Sequence, residues 1–120
     1  MPEVRGARVV VDALIGYSLR GAPRERAADL ILACNRHRRV LSLDVPSGLD
    51  ATTGEAPGEV VRPERTLTLA LPKTGLGDIP GDLYLADISI PPEVYARLGL
   101  SYCMPFSDAG YWTRLSRSRK

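Results

Sequence analysis

The sequence predicts an α/β fold with a mostly parallel sheet, and three observations support this prediction. Two short apolar runs, typical of buried strands, end at Asp12 and at Asp44. Between them, apolar residues recur with the period of an amphipathic helix. Each run is followed by a loop that contains glycine, as at the ligand-binding edge of an open α/β sheet.

The first predicted strand is Arg8–Asp12, and its apolar character continues to Gly16. Because its apolar residues do not alternate with polar ones, we expect this strand to be buried on both faces. A loop follows at 16–21, and Pro23 is well placed as the first residue of a helix. The helix has its apolar stripe at Ala27, Leu30, Ile31 and Cys34.

The second predicted strand is Val40–Leu43, which completes a strand–helix–strand unit of the size of a right-handed parallel crossover. Beyond a turn-rich segment, an alternating run predicts a third strand at 65–71. A fourth strand is predicted at 82–90, and a short helix at 93–98. No periodicity follows, so we expect one domain at 1–100 and an irregular basic tail at 101–120.

Composition and charge disfavour several classes of function. The net charge of +2 comes from four basic residues after Ala109, and 12 basic residues stand against 14 acidic ones before that point. A short terminal basic run is typical of a solvated tail, so we do not expect nucleic-acid binding. No apolar run approaches the roughly 20 residues of a membrane span, and the first residues do not resemble a signal peptide. Cys34 is expected to be a buried free thiol, which favours the cytoplasm.

The first two predicted strands both end in a carboxylate. Because neighbouring parallel strands present their carboxyl ends at the same sheet edge, we expect Asp12 and Asp44 to lie close together. These two acids, Ser47 and nearby backbone carbonyls are hard oxygen ligands that suit Na⁺, K⁺ or Mg²⁺. Alternatively, each aspartate could serve only as the cap of a turn or helix.

The loop at 16–21 leads into the predicted helix N-terminus. The N–H groups of Gly21 and Ala22, the helix dipole and the Arg20 side chain together favour an anion such as phosphate. Lys73, just past the third strand, is expected to add a positive charge at the same edge. The sequence thus predicts an anion site beside a cation site, suited to a phosphorylated or nucleotide ligand.

Two common site types are disfavoured. The spacing of Gly16 and Gly21 is that of a P-loop, but Ala22-Pro23 follows in place of Lys-Ser/Thr. Ser47 lacks the G-x-S-x-G elbow of a hydrolase nucleophile. The single histidine, His37, is predicted to cap the helix at the opposite end of the sheet, so a Ser–His–Asp triad is not expected.

The segments 12–21 (DALIGYSLRG) and 44–50 (DVPSGLD), in this order and separated by a helix, resemble the NAD(P)H-hydrate epimerase family, or YjeF N-terminal domain. Weaker similarity continues through Gly54-Glu55, 72–76 and 86–91. The resemblance implies a Rossmann-like three-layer α/β/α sandwich. It also implies an isomerase that interconverts the R and S forms of hydrated NADH and NADPH, with K⁺ bound. The glycine-rich amino-terminal half of that family has no counterpart here, so we expect the fold to be truncated at its amino-terminal half.

The same resemblance implies site residues and partners. Asp12 and Ser47 match the K⁺ ligands, and Asp44 matches the acid that contacts the substrate and orients its ring or moves a proton. The segment that matches the loop for the substrate phosphates consists of Gly16, Tyr17, Ser18, Leu19, Arg20, Gly21 and Ala22. Implied partners are a complementing amino-terminal half or a homo-oligomer, and a dehydratase. Two functions stay open: an epimerase half-domain that needs completion, and a noncatalytic nucleotide-binding or scaffold module.

Overall fold

The computed structural model describes residues 4–107 and 110–116, which form one five-stranded sheet. Its strands are β1 (Val10–Asp12), β2 (Val40–Leu43), β3 (Arg65–Leu69), β4 (Asp82–Ala86) and β5 (Trp112–Arg114), arranged in chain order. The first four are parallel, and β5 runs antiparallel to β4. Helix α1 (Glu25–Asn35) joins β1 to β2, and helix α2 (Pro92–Arg97) follows β4. The predicted α/β class with a mostly parallel sheet is confirmed.

One face of the sheet is closely packed and holds most of the core. Two clusters of buried side chains are found there. The first, which includes α1, consists of Val10, Ile31, Cys34, Val40 and Val61. The second, which includes the segment after β2, consists of Val45, Leu49, Ala51, Leu76, Ile79 and Leu83. Strand pairing also brings Asp12 beside Ser42 and Ser42 beside Thr66 in one buried polar row.

The expectation that β1 is buried on both faces is wrong for this chain. Val10 and Asp12 are buried, but Val11 between them is 55% exposed and Val9 is 46% exposed. The physical reason is that β1 pairs only with β2 within the described residues, so one edge and one face lie open. An open edge of this kind is a template for pairing with another strand.

Element boundaries differ from the predicted ones by a few residues. Helix α1 begins at Glu25 rather than at Pro23. Strand β3 ends at Leu69, because Ala70 takes a left-handed φ of 64°. The tail expected to be irregular contributes β5. Its Trp112 packs edge to face against Tyr84, with 5.5 Å between the two ring centroids. Residues 108, 109 and 117–120 of that tail lie outside the described part of the chain.

The turn-rich segment after β2 folds back onto the Pro-Ser-Gly loop. Gly48 has a φ of 97°, and a Cβ on it would lie 2.0 Å from the Glu59 carbonyl oxygen, so only glycine fits. Beside it, the Val61 N–H donates to the Ser47 carbonyl at 2.9 Å. These contacts fix the backbone on both sides of Ser47. Among the described residues, no helix is both long and apolar enough to span a bilayer.

Candidate functional site

Asp12 is the buried centre of the candidate site, with 1% of its surface exposed. Its Oδ2 accepts hydrogen bonds from the Ser42 hydroxyl at 2.7 Å and from the Ser47 N–H at 2.9 Å. Its Oδ1 accepts the Ser47 hydroxyl at 2.5 Å and, more weakly, the Leu14 N–H at 3.4 Å. A buried carboxylate is tolerated only when hydrogen bonds replace its water. These donors do so without bringing a positive charge.

Ser47 ties the loop after β1 to the loop after β2. Its Oγ accepts the Ile15 N–H at 2.8 Å and lies 3.2 Å from the Ile15 carbonyl oxygen. A serine hydroxyl has one proton, which the shorter contact assigns to Asp12. The Ile15 carbonyl therefore faces oxygen lone pairs rather than a hydrogen. Oxygen atoms of Asp12, Ser47 and Ile15 thus lie together, and the Ile15 carbonyl oxygen receives no hydrogen from Ser47.

This donor set fits an alkali cation. It consists of a carboxylate, a hydroxyl and a carbonyl, all hard oxygen ligands. In residues 4–107 and 110–116 there is no group of three or more His, Cys, Asp or Glu side chains that could hold a metal ion. Hard oxygen ligands of this kind suit Na⁺, K⁺ or Mg²⁺.

Asp44 ends β2 in a strained conformation. Its φ is 65°, a left-handed value that costs a residue with a side chain about 1–3 kcal/mol. A hydrogen bond from the Val45 N–H to the Leu43 carbonyl, 2.9 Å long, closes a three-residue turn around it. Its own N–H donates to the Leu67 carbonyl of β3 at 2.8 Å. The neighbouring strand thus holds the turn that projects the carboxylate from the sheet edge.

Lys73 forms an ion pair with Asp44. Its Nζ lies 2.6 Å from Asp44 Oδ1, and the two side chains are 22% and 14% exposed. The same ammonium group donates to the Thr68 hydroxyl at 3.0 Å and to the Leu69 carbonyl at 2.7 Å. The sequence places Lys73 at this edge, and the structure adds that it binds Asp44 directly.

A second turn fixes the segment that contains Lys73. The Asp50 carboxylate accepts hydrogen bonds from the N–H groups of Thr52 and Thr53, each at 2.9 Å. These two bonds lower the pKa of Asp50, and the one from Thr53 has the larger effect. The Gly75 N–H donates to the Ala51 carbonyl at 2.7 Å. A Cβ on Gly75 would lie 2.5 Å from the Asp50 carbonyl oxygen. The Asp50 turn and the 3₁₀ turn at Thr74–Leu76 are therefore packed backbone against backbone.

The loop at 16–22 lies against Asp44 at its start and against the turn-rich segment at its end. A Cβ on Gly16 would lie 3.2 Å from Asp44 Oδ2, and one on Gly58 would lie 2.8 Å from Ala22 Cβ. Between these contacts the loop is open to solvent, with Tyr17 76% exposed and Ser18, Arg20 and Gly21 also exposed; Leu19 is half-buried. The residues predicted from the sequence are thus neighbours at one edge, and their roles in binding stay predictions.

The part of the anion-site prediction that depends on the helix needs correction. Because α1 begins at Glu25, the N–H groups of Gly21 and Ala22 precede its first turn. That turn contains an acidic residue, Glu25, and Arg24 before it makes no side-chain cap. The helix dipole therefore contributes less to this loop than a helix beginning at Pro23 would.

A cavity of about 670 Å³ borders Lys73. Its wall includes Pro46 and Leu49 from the loop after β2, Leu76, and Leu83 of β4. This volume is in the range of small-molecule sites. The sequence predicted neither this cavity nor which of the nearby backbone carbonyls lies beside Ser47, since neither feature has a residue-type signal.

Comparison with known proteins identifies relatives of this chain. Residues 2–75 match the family described as YjeF-related protein N-terminus. A protein of Dehalogenimonas lykanthroporepellens named NAD(P)H-hydrate epimerase is 55% identical over 122 residues, covering 99% of this chain and 49% of that protein. One of the same name from Truepera radiovictrix is 46% identical over 88% of this chain and 48% of its own length.

Longer relatives and a solved structure extend the comparison. The Escherichia coli protein named bifunctional NAD(P)H-hydrate repair enzyme Nnr is 39% identical over 68% of this chain and 17% of its own length. The crystal structure of yeast ynu0 superposes with a TM-score of 0.74 at 23% identity, covering 89% of this chain and 46% of that one. It supports the fold alone. The chain spans about half the length of the first curated relatives it matches.

Proposed function

The chain belongs to the family of YjeF-related protein N-termini, and we propose that it acts in the repair of hydrated NADH and NADPH by interconverting their R and S forms. The observation that carries this proposal is the arrangement at the sheet edge. A charged carboxylate, Asp44, lies beside an open loop at 16–22, next to a buried cluster of oxygen ligands around Asp12. Relatives named for this activity support the choice of substrate.

In this proposal Asp44 contacts the nicotinamide part of the substrate. Asp44 can orient the hydrated ring through Oδ2, or its carboxyl group can deliver a proton to the C6 hydroxyl as it leaves as water and take a proton back from the water that returns. The segment Gly16–Ala22 would hold the phosphates, with Arg20 as its cationic side chain. The exposure of its middle residues leaves room for such a ligand.

We further propose that Asp12 and Ser47 hold a potassium ion together with the Ile15 carbonyl. The support is the oxygen-rich arrangement around Ser47, whose hydroxyl oxygen lies 2.5 Å from Asp12 Oδ1 and 3.2 Å from the Ile15 carbonyl oxygen, so that its single proton cannot serve both. When bound, the ion supplies a positive charge that offsets the buried carboxylate and favours nearby phosphates. The residues themselves fix the loops after β1 and β2 relative to each other.

Completion by a further polypeptide segment is part of the proposal. The open edge of β1 and the exposed Val9 and Val11 suit an added strand. Relatives named as bifunctional repair enzymes suggest a dehydratase as a functional partner. Both cysteines, Cys34 and Cys103, are free, as in proteins of the reducing cytoplasm.

The test is an epimerisation assay with the purified R epimer in KCl and in choline chloride. The chain is assayed alone and after mixing with the half of the Dehalogenimonas relative that it does not match. We expect turnover that depends on K⁺ and falls at least about a hundredfold in Asp44→Asn, with the thermal midpoint close to that of the wild type.

Three outcomes would contradict this proposal. The first two, absence of turnover in both arms and unchanged turnover in Asp44→Asn, reject the epimerase function itself. The third, equal rates in the two salts, rejects the potassium site alone. Binding of NADPH without turnover in either arm would favour the noncatalytic nucleotide-binding module instead.

A further inference from the structure

The two oxygens of Asp44 have different surroundings. Oδ1 is bound by the Lys73 ammonium at 2.6 Å and lies 3.4 Å from the Leu69 N–H. Oδ2 faces Gly16, at the position where a side chain would begin. We propose that Lys73 is a positioning residue that occupies Oδ1, so that Oδ2 alone meets the substrate through the opening left by Gly16. This inference rests on the proposed function and assigns a role to one side chain beyond it.

The contacts of Lys73 favour positioning over direct proton transfer. An ammonium group has three hydrogens, and three acceptors surround this one: Asp44 Oδ1, the Thr68 hydroxyl and the Leu69 carbonyl. With all its hydrogens engaged, Lys73 has none left for a ligand. Thr68 and Leu69 both belong to β3, so the ammonium is anchored to the rigid sheet rather than to a loop.

This anchoring restricts the carboxylate. The terminal torsion of an aspartate is broad, so an unpaired carboxylate samples many orientations. An ion pair between two largely buried groups is screened less by salt than one at the surface. The pair of Lys73 with Asp44 is of this kind, and it holds the carboxylate plane against β3. Restricting a reacting group in this way lowers the entropy lost in reaching the transition state.

Gly16 has a steric role rather than a conformational one. A Cβ at this position would lie 3.2 Å from Oδ2, whereas its φ is not in the left-handed region. Alanine could therefore adopt the same backbone, and its methyl group would cover the free oxygen. The first residue of the loop thus determines whether that oxygen can be reached.

The experiment compares Lys73→Met and Gly16→Ala with two matched controls in the epimerisation assay, alone and with the complementing half. Arg39→Met removes the cation of an exposed ion pair with Glu64, and Gly77→Ala adds a methyl group where no atom lies within 4 Å. We expect Lys73→Met to lower kcat at least about tenfold with KM changed less than about threefold. Gly16→Ala should lower kcat/KM at least about tenfold, and both controls should match the wild type.

The outcomes separate this inference from the proposed function. If the wild type turns over and Lys73→Met keeps its kcat, the positioning role is wrong while the function stands. If kcat, KM and the thermal midpoint of Lys73→Met all worsen together, Lys73 is a structural residue and the role is again rejected. If Gly16→Ala behaves like Gly77→Ala, Oδ2 is not the oxygen that meets the substrate. A wild type without turnover in both arms overturns the proposed function, and the role of Lys73 with it.

Discussion

Replacing Ser47 with alanine should be costly, because its hydroxyl joins two loops through buried hydrogen bonds. The side chain is fully buried, so water cannot take its place. Its removal deprives Asp12 Oδ1 of its short hydrogen bond and leaves the Ile15 N–H without its acceptor at 2.8 Å. What remains at that oxygen is the long contact of 3.4 Å from the Leu14 N–H.

The size of the effect follows from these losses. A hydrogen bond to a charged group contributes about 1.5–3 kcal/mol, and an orphaned N–H costs about 1–3 kcal/mol when buried. Since the Ile15 N–H is only partly buried, the second loss is at the low end of its range, and we expect Ser47→Ala to lower the free energy of unfolding by about 2.5–4 kcal/mol. Ser42→Ala removes a single bond to Asp12 Oδ2 and should cost about 1.5–3 kcal/mol.

Urea denaturation followed by circular dichroism measures both values, with Ser101→Ala as an exposed control. Repeating it in KCl and in choline chloride tests the cation site independently of activity. Bound K⁺ should raise the stability of the wild type, and this increment should vanish in Ser47→Ala. The reasoning is refuted if Ser47→Ala costs less than about 1 kcal/mol, or no more than Ser42→Ala. A salt effect of equal size in both proteins would reject Ser47 as a ligand.

Two further predictions concern titratable groups. The N–H groups of Thr53 and Thr52 lower the pKa of Asp50, so its contribution to stability is present above its unfolded pKa and is lost as the pH falls through the folded value. Asp50→Asn should therefore have a lower urea midpoint than the wild type at pH 6, and the two midpoints should become equal in strong acid. A difference in midpoint that stays constant with pH would contradict this. Burial, and then the charge of Asp12, raises the pKa of the Cys34 thiol. A thiol reagent at pH 8 should modify Cys103 rapidly and Cys34 only after unfolding, and rapid modification of both would be inconsistent with the structure.

The sequence predicted the parallel part of the fold because its signals are local. Strand β2 has the predicted bounds of Val40–Leu43, since the basic turn and the Pro-Ser-Gly loop delimit it on both sides. The ends of β3 and β4 were placed too late, because Ala70 and the residues after Ala86 are compatible with strands by type. Strand β5 was missed because Trp112–Arg114 is only three residues long and contains no apolar run of its own.

At the site, residue types were predictable but pairings were not. Two aspartates at the ends of adjacent parallel strands were expected to be neighbours, and the structure gives them distinct environments. Asp12 is buried among neutral donors, whereas Asp44 is paired with Lys73. This difference depends on backbone geometry: Ser47 must turn back towards β1, and Lys73 must follow a turn that returns it to β2. Neither condition is visible in the composition of the segments.

The left-handed conformation of Asp44 alone does not identify it as functional. Ala70, at the end of β3, has nearly the same φ of 64°, and the Leu71 N–H donates to the Leu69 carbonyl across it at 2.8 Å. Two adjacent parallel strands thus end in the same strained turn. In the second turn the residue is alanine, whose methyl group can neither ionise nor form a hydrogen bond. Glycine would relieve the strain at either position. The difference between the two positions is Lys73, which needs a carboxylate as its partner. The chain reverses at Ala70, and this brings Lys73 back to Asp44. The paired turns therefore build the edge of the sheet, and the ion pair distinguishes them, because only the turn at Asp44 presents a carboxylate to Lys73.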